Sequence, residues 1–269
     1  MKRIVYIVAA FLAAACGCTP QLPYNEPEKA AAQQVVSFAK GADVSWLTQM
    51  ESEGLTFKNS AGETTECMRL LRDDCGVNAI RLRVWVNPEQ GWNNADDVLV
   101  KARRAAALGM AVMIDFHYSD SWADPSKQNP PAAWSSMNVS EMATALGNHT
   151  REVLNLLKDN SVDVAWVQVG NETNTGMCWP NGSVSSSSAQ GFVTLANAGY
   201  AAVKEVYPKA QVILHHSNAQ ELEKNKWFYS LVAGASYDMI GLSLYPSYWT
   251  NGAFPDWKPY CQSALATFS

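Results

Sequence analysis

A carboxylate and an amide stand together at the end of a short apolar run. Residues 164–169 read Val-Ala-Trp-Val-Gln-Val, and Gly170, Asn171 and Glu172 follow directly. A continuous apolar run of this length is typical of a buried parallel strand. Because α/β barrels keep their chemistry at the C-terminal ends of their strands, the run predicts an active site at Asn171 and Glu172. The alternative is a solvated glutamate beside an asparagine that caps a helix.

Other strand-like runs also carry polar or aromatic residues, at their ends or in the loops that follow. The second run alternates, so that Arg81, Arg83 and Trp85 share one face. In the third run, Asp115 and His117 share a face. Arg83 would be costly to bury inside a barrel unless it met an anion.

The elements that must position these residues alternate between strand and helix. Strands are predicted at residues 40–44, 77–88, 110–118, 164–169, 210–216 and 238–246. Helices are predicted at 65–74, 97–108, 140–158, 190–207, 226–234 and 259–268, and a hairpin turn at 59–62. This order indicates an α/β fold of parallel βαβ units. We expect a (β/α)8 TIM barrel, incomplete, with about six of its eight units. A doubly wound sheet is the alternative, but no Gly-x-Gly-x-x-Gly follows the first strand.

Composition excludes some classes of function. The chain has 269 residues, of which 48% are hydrophobic, so it can bury a sizeable core. Only 17% of the residues are charged and the net charge is −5, so a nucleic-acid surface built from clustered Lys and Arg is not expected. Ten tryptophans provide rings that can fill a core or stack on the apolar faces of a ligand.

The N-terminus is predicted to be a targeting segment. Lys2 and Arg3 precede an apolar run that is too short to span a membrane, and small residues follow it. We expect residues 1–18 to be a signal peptide of the lipoprotein type with Cys16 or Cys18 as the lipid anchor, residues 19–35 to be a linker, and residues 36–269 to be a partial TIM-barrel catalytic domain. The protein would then be exported to the cell envelope or cell surface, touching the membrane only through that lipid. The alternative is a simple secretory signal and a secreted or periplasmic protein.

No cofactor and no metal site is predicted. The cysteines beyond the signal, Cys67, Cys75, Cys178 and Cys261, have spacings that fit no zinc pattern. Export would permit disulfides. Cys67 and Cys75, however, flank one helical segment and lie too far apart to bond easily, so no pairing is predicted.

Four segments together resemble glycoside hydrolase family 53, the endo-β-1,4-galactanases. They are Lys-Gly-Ala-Asp-Val-Ser at 40–45, Arg-Leu-Arg-Val-Trp-Val-Asn-Pro at 81–88, Asp-Phe-His-Tyr-Ser-Asp-Ser-Trp-Ala-Asp-Pro at 115–125 and Val-Gly-Asn-Glu at 169–172. The resemblance spans most of the chain after residue 38. The third segment is specific to this family, whereas the Asn-Glu pair is shared by a wider clan of barrel glycosidases.

The resemblance implies hydrolysis of β-1,4-galactan, the side chain of type I arabinogalactan in pectin, with retention of anomeric configuration. It makes Glu172 the general acid/base, with Arg83, His117 and Asn171 around the scissile bond and Tyr245 near the second carboxylate. It gives Asp43, Trp85, Asp115 and Trp122 weaker roles in substrate contact. Structural roles are the alternatives: Arg83 pairing only with a barrel carboxylate, His117 as a satisfied core histidine, and both tryptophans as packing.

The sequence departs from the family pattern at its C-terminal end. A retaining glycosidase needs a second carboxylate about 5 Å from the first. The family has it at the end of a seventh strand, which has no counterpart here. We therefore expect a truncated chain that is inactive on its own. The alternatives are a non-catalytic surface glycan-binding lipoprotein and another barrel glycosidase of the same clan, such as a cellulase or mannanase.

Overall fold

The computed structural model describes residues 38–219, 221–245 and 258–268. The expected signal segment with Cys16 and Cys18, the linker and the stretch from 246 to 257 lie outside these residues. The strands are β1 Gly41–Asp43, β2 Phe57–Lys58, β3 Thr64–Thr65, β4 Ala79–Val84, β5 Ala111–Phe116, β6 Trp166–Val169, β7 Gly176–Met177, β8 Gly182–Ser183, β9 Gln211–His216 and β10 Met239–Leu242. The α-helices are α1 Leu47–Ser52, α2 Cys67–Asp73, α3 Ala95–Ala107, α4 Val139–Asp159, α5 Gln190–Val206, α6 Leu222–Leu231 and α7 Lys258–Phe268, with a 3₁₀ turn at Ala132–Trp134.

Six strands form one parallel sheet in the order β1-β4-β5-β6-β9-β10. Every neighbouring pair in this sheet is parallel, and helices connect the strands as the sequence predicts. The described part of the chain is thus an incomplete (β/α)8 barrel. The predicted hairpin turn is confirmed, because β2 and β3 pair antiparallel around it.

The helices begin where the sequence supplies capping side chains. Asn138 caps α4, and the Glu141 carboxylate accepts from the Asn138 backbone N–H in return, which completes a capping box. Asn94 caps α3, whose first turn carries Asp96 and Asp97 near the positive end of the helix dipole. The inner faces of these helices pack onto the sheet through a continuous apolar core. The core fixes the strands, and the strands fix the polar residues that follow.

The register of the sheet aligns the polar residues of neighbouring strands. Asp43 of β1 lies opposite Arg81 of β4. Arg83 lies opposite Asp115 of β5, and Asp115 lies opposite Gln168 of β6. Since residues opposite each other in a parallel sheet point to the same face, the register places acidic, basic and amide side chains of four strands on one face of the sheet.

The structure differs from the sequence predictions at several places. Helix α1 and the small β7–β8 hairpin have no counterpart in those predictions, and the hairpin falls in a Ser- and Gly-rich stretch that is typical of a loop. Helix α6 runs from Leu222 to Leu231 rather than over 226–234, and α2 starts at Cys67 because Glu66 caps it. Cys67, Cys75 and Cys178 are free thiols. None of the described helices combines the length and apolar character needed to cross a bilayer.

Gly170 joins β6 to the Asn171–Glu172 pair under tight constraint. Its φ is +86°, a conformation that residues with a side chain seldom adopt. A Cβ at this position would lie 2.6 Å from Thr173 Cγ2 and 3.1 Å from Met177 Sδ. The glycine therefore lets the chain turn sharply at the end of the strand.

We expect Gly170→Ala to destabilise the protein more than Gly62→Ala does. Gly62 has a similar φ of +83°, but no atom lies within 4 Å of the position that a Cβ would take there. Both variants incur about 1–2 kcal/mol for the left-handed conformation. Gly170→Ala adds roughly 1–3 kcal/mol of overpacking. Equal losses in the free energy of unfolding, measured by urea denaturation, would contradict this account.

Candidate active site

A cavity of about 520 Å³ opens at the C-terminal ends of the parallel strands. Six of the predicted site residues line it: Asp43, Arg83, Trp122, Asn171, Glu172 and Tyr245. Trp85, Asp115 and His117 are buried and are not among its lining residues. The residues predicted from the sequence therefore fall into two groups at one place. Six of them form the cavity wall, and the other three lie buried behind it.

The Asn171 amide is held in one orientation. Its Oδ1 accepts from Arg81 Nη2 at 3.0 Å and from Gln168 Nε2 at 3.2 Å. Its Nδ2 donates to the carbonyl of Ala123 at 2.8 Å. Donors on one side and an acceptor on the other define which amide atom is which. The second N–H of Nδ2 can therefore be offered to a hydroxyl in the cavity.

Arg81 is the cation that pairs with two carboxylates of the site. Its guanidinium pairs with Asp43 Oδ2 and with Asp115 Oδ2, each at 2.6 Å. Asp115 is fully buried, which opposes its ionisation, but the Arg81 and His117 side chains prevail and lower the pKa of Asp115 to about 2. The carboxylate is thus ionised and paired with a cation, as a buried charge must be.

Arg83 does not pair with a carboxylate of the described residues, so the structural alternative proposed for it from the sequence does not apply. Within the described residues its Nε and Nη2 have no hydrogen-bond partner, although only 1% of the residue is exposed. Its guanidinium carbon instead lies 4.7, 4.5 and 4.0 Å from the ring centroids of Trp46, Trp85 and Trp122. These three rings form the tryptophan cage. Their cation–π attraction stabilises the buried guanidinium where an ion pair is lacking, while burial lowers the pKa of Arg83 to about 10.

His117 is a buried histidine with both nitrogens engaged. Its Nδ1 accepts from the backbone N–H of Ala123 at 3.0 Å, so Nε2 carries the proton that faces Asp115 Oδ2, also at 3.0 Å. His117 fixes the chain at Ala123, whose carbonyl in turn holds Asn171. This arrangement fits the structural alternative for His117, in which the histidine supports the site from behind.

Glu172 is held at both its backbone and its side chain. Its φ is +47°, and 8% of the residue is exposed. Its backbone N–H donates to His215 Nδ1 at 3.1 Å, and its carbonyl accepts from Gln128 Nε2 at 3.3 Å. Its carboxylate Oε1 accepts a hydrogen bond from the Tyr245 hydroxyl. Burial, together with this hydrogen bond, raises the pKa of Tyr245.

Sequence reasoning missed several residues of the site. Arg81 shares the face of Arg83, and His215 is the penultimate residue of β9, so the face and strand-end patterns could have identified both. Ser243 directly follows β10 and carries the same signal, whereas the contacts made by Trp46 and Gln128 depend on loops and had no comparable signal. In the ranges that the structure covers, no group of three His, Cys, Asp or Glu side chains is placed to hold a metal ion.

Comparison with known proteins identifies the family. The sequence profile of "Glycosyl hydrolase family 53" matches residues 39–267. The chain belongs to glycosyl hydrolase family 53.

Relatives in this family carry galactanase names. The chain is 39% identical over 218 residues to "Probable arabinogalactan endo-beta-1,4-galactanase A" of Aspergillus terreus, covering 78% of this chain and 62% of that protein. It is 36% identical over 219 residues to "Arabinogalactan endo-beta-1,4-galactanase A" of Aspergillus niger, covering 78% and 61%. The chain thus spans about three fifths of the length of these family 53 relatives.

Solved family 53 structures share the fold. A fungal β-1,4-galactanase superimposes with a TM-score of 0.73 at 34% identity, covering 78% of this chain and 64% of that one. The family 53 catalytic domain of Ignisphaera aggregans gives a TM-score of 0.73 at 33% identity, covering 82% and 64%. These similarities confirm the resemblance and the barrel fold predicted from sequence.

The two arginines of β4 should respond differently to the same substitution. Arg81→Met would leave two partly or fully buried carboxylates without their cation, a loss of roughly 3–5 kcal/mol. Arg83→Met removes a charge that lacks an anionic partner and forfeits mainly the cation–π contacts, worth about 2 kcal/mol. We expect urea denaturation to show the larger loss for Arg81→Met. Equal losses, or a larger loss for Arg83→Met, would contradict the charge assignment.

Buried histidines should make stability depend on pH in mildly acidic solution. Burial lowers the pKa of His149 and of His215 to about 4, below the ordinary value of 6.5. Between pH 4 and pH 6.5 the unfolded chain therefore binds more protons than the folded chain does. The stabilisation is complete above pH 6.5 and is lost as the pH falls through 4. His149→Gln should flatten the fall in the free energy of unfolding between pH 6.5 and pH 4, and an unchanged slope would contradict this cause.

Proposed function

We propose that the protein takes part in the retaining endo-hydrolysis of β-1,4-galactan, the side chain of type I arabinogalactan in pectin. The observation that carries the proposal is the position of Glu172, which lines the strand-end cavity and is held through its backbone N–H, its carbonyl and its carboxylate. Membership of family 53 and the galactanase names of its relatives support the choice of substrate.

Glu172 would act as the general acid/base. Cleavage of a glycosidic bond requires a proton for the departing oxygen, and a carboxyl group at the cavity wall can supply it. Asn171 would donate its free amide N–H to the sugar 2-hydroxyl, a contact that strengthens in the transition state. Its fixed orientation between Arg81 and Ala123 means that no reorganisation is needed when substrate binds.

The aromatic residues would provide surfaces for sugar rings. Trp46 and Trp122 are 41% and 44% exposed, whereas Trp85 is 8% exposed. The first two can therefore present ring faces to a galactose unit. Trp85 is buried and would instead help to hold the Arg83 guanidinium within the tryptophan cage. Asp43 and Tyr245 line the same cavity and would contact the substrate or the groups that position it.

The second carboxylate of a retaining mechanism would come from outside the described residues. The other acidic residues of the cavity wall are engaged: Asp43 pairs with Arg81, and Asp124 accepts from the backbone and hydroxyl of Ser126. We therefore propose that the nucleophile is none of the acidic residues that the structure describes around this cavity. We further propose that the protein is exported and that a lipid attached to Cys16 or Cys18 anchors it to the membrane.

An external nucleophile tests whether Glu172 is the acid/base and whether the chain lacks a nucleophile of its own. The purified chain should release little sugar from β-1,4-galactan alone. Azide should react with phenyl β-1,4-galactobioside by attacking the anomeric carbon that carries the phenyl group, while Glu172 protonates the departing phenol, giving α-galactobiosyl azide and phenol. Glu172→Gln should lower this rate by roughly 10²–10⁴-fold.

Glu205→Gln is the matched control, since Glu205 is a surface residue paired with Arg151. Efficient galactan hydrolysis without azide would show that the nucleophile lies within this chain. An azide reaction that is unaffected by Glu172→Gln would remove Glu172 from the acid/base role.

A further inference from the structure

His215 contacts Glu172 in a way that no side-chain pattern reveals. The Glu172 backbone N–H donates to His215 Nδ1 at 3.1 Å. The next residue, Thr173, donates its backbone N–H and its hydroxyl to the His215 carbonyl, at 2.8 and 2.9 Å. One residue of β9 thus holds the chain on both sides of the Glu172 α-carbon, where φ is +47°.

This contact fixes the proton of the imidazole. A backbone N–H can only donate, so Nδ1 of His215 must be unprotonated, and in the neutral ring the proton then lies on Nε2. Nε2 is 2.8 Å from the Ser243 hydroxyl, which must therefore accept. Burial favours the neutral ring and lowers the pKa of His215, Asp115 acts in the opposite direction, and Arg81, His216 and His117 add to the lowering.

The remaining protons form a closed circuit. Having accepted from His215, the Ser243 hydroxyl has its own proton left for Tyr245, and its influence on the pKa of Tyr245, which it lowers against the larger effect of burial, is that of a donor. The Tyr245 hydroxyl then donates to Glu172 Oε1. The circuit runs from the Glu172 backbone N–H through His215, Ser243 and Tyr245 to the Glu172 carboxylate, and each group in it donates in the same direction.

We propose that His215 is a positioning residue which, through Ser243 and Tyr245, fixes both the backbone turn of Glu172 and the carboxyl oxygen that carries its acidic proton. Oε1 always accepts from Tyr245, so the transferable proton is confined to Oε2. Because it concerns the acid/base step, this inference rests on the proposed function. It adds a requirement that His215 hold its single proton on Nε2.

Two isosteric substitutions separate the two ends of the imidazole. In His215→Asn, the amide oxygen can occupy the place of Nδ1 and accept from Glu172, while the link to Ser243 is lost. In His215→Gln, the amide nitrogen can replace Nε2 and donate to Ser243, while the acceptor for Glu172 is lost. A general packing role would affect both variants alike.

The test uses the 269-residue chain and measures amide hydrogen exchange and the ¹⁵N chemical shifts of the imidazole. In the unsubstituted protein, the shifts should place the proton of His215 on Nε2. The Glu172 amide should exchange at least about tenfold faster in His215→Gln than in His215→Asn, as expected for the loss of one buried hydrogen bond. The Glu172-dependent reaction with azide should be retained better in His215→Asn.

Other outcomes overturn the proposal. A proton on Nδ1 of His215 in the unsubstituted protein would do so without any variant, and so would equal exchange of the Glu172 amide in the two folded variants. Lack of any reaction with galactosides would count against the proposed function alone, because the exchange and shift measurements do not depend on turnover.

Discussion

The guanidinium of Arg81 is the contact on which the polar interior of this barrel depends. It binds Asp43 of β1 and Asp115 of β5 and also reaches Asn171 after β6. A buried carboxylate such as Asp115 would be unfavourable without a cation, and a buried cation would be unfavourable without carboxylates. One side chain of β4 thereby connects three other parts of the sheet and orients the amide beside Glu172.

Around this centre, the site is built in two layers. The inner layer contains Asp115, His117 and Gln168, which are buried and hydrogen-bonded among themselves or to backbone. The outer layer contains Asn171 and Glu172, which face the cavity. The inner groups hold the outer ones in place, because each outer polar atom with a buried partner loses the freedom to turn away. Preorganisation of this kind is what a site that stabilises a charged transition state needs.

Much of the fold follows from local sequence patterns, and part of the site does too. Apolar runs that end in polar residues indicate all six strands of the sheet and lead directly to Glu172. The alternation of β4 places Arg81 and Arg83 on one face but carries no information on depth, so it could not tell which of the two arginines pairs with the buried carboxylates. The role of His215 could not be predicted, because its key partner is a backbone N–H, which nearly every residue has. The β7–β8 hairpin lies in a serine-rich stretch whose composition favours loops.

The tryptophan cage has an optical consequence. The ring centroids of Trp46, Trp85 and Trp122 lie 6.0 to 6.3 Å apart. At such separations the electronic transitions of neighbouring indoles couple, and excitation can pass from the buried ring to the two that border the cavity. The three indoles therefore form a coupled chromophore cluster at the mouth of the barrel. Its circular dichroism and fluorescence emission should change when a ligand covers Trp46 and Trp122.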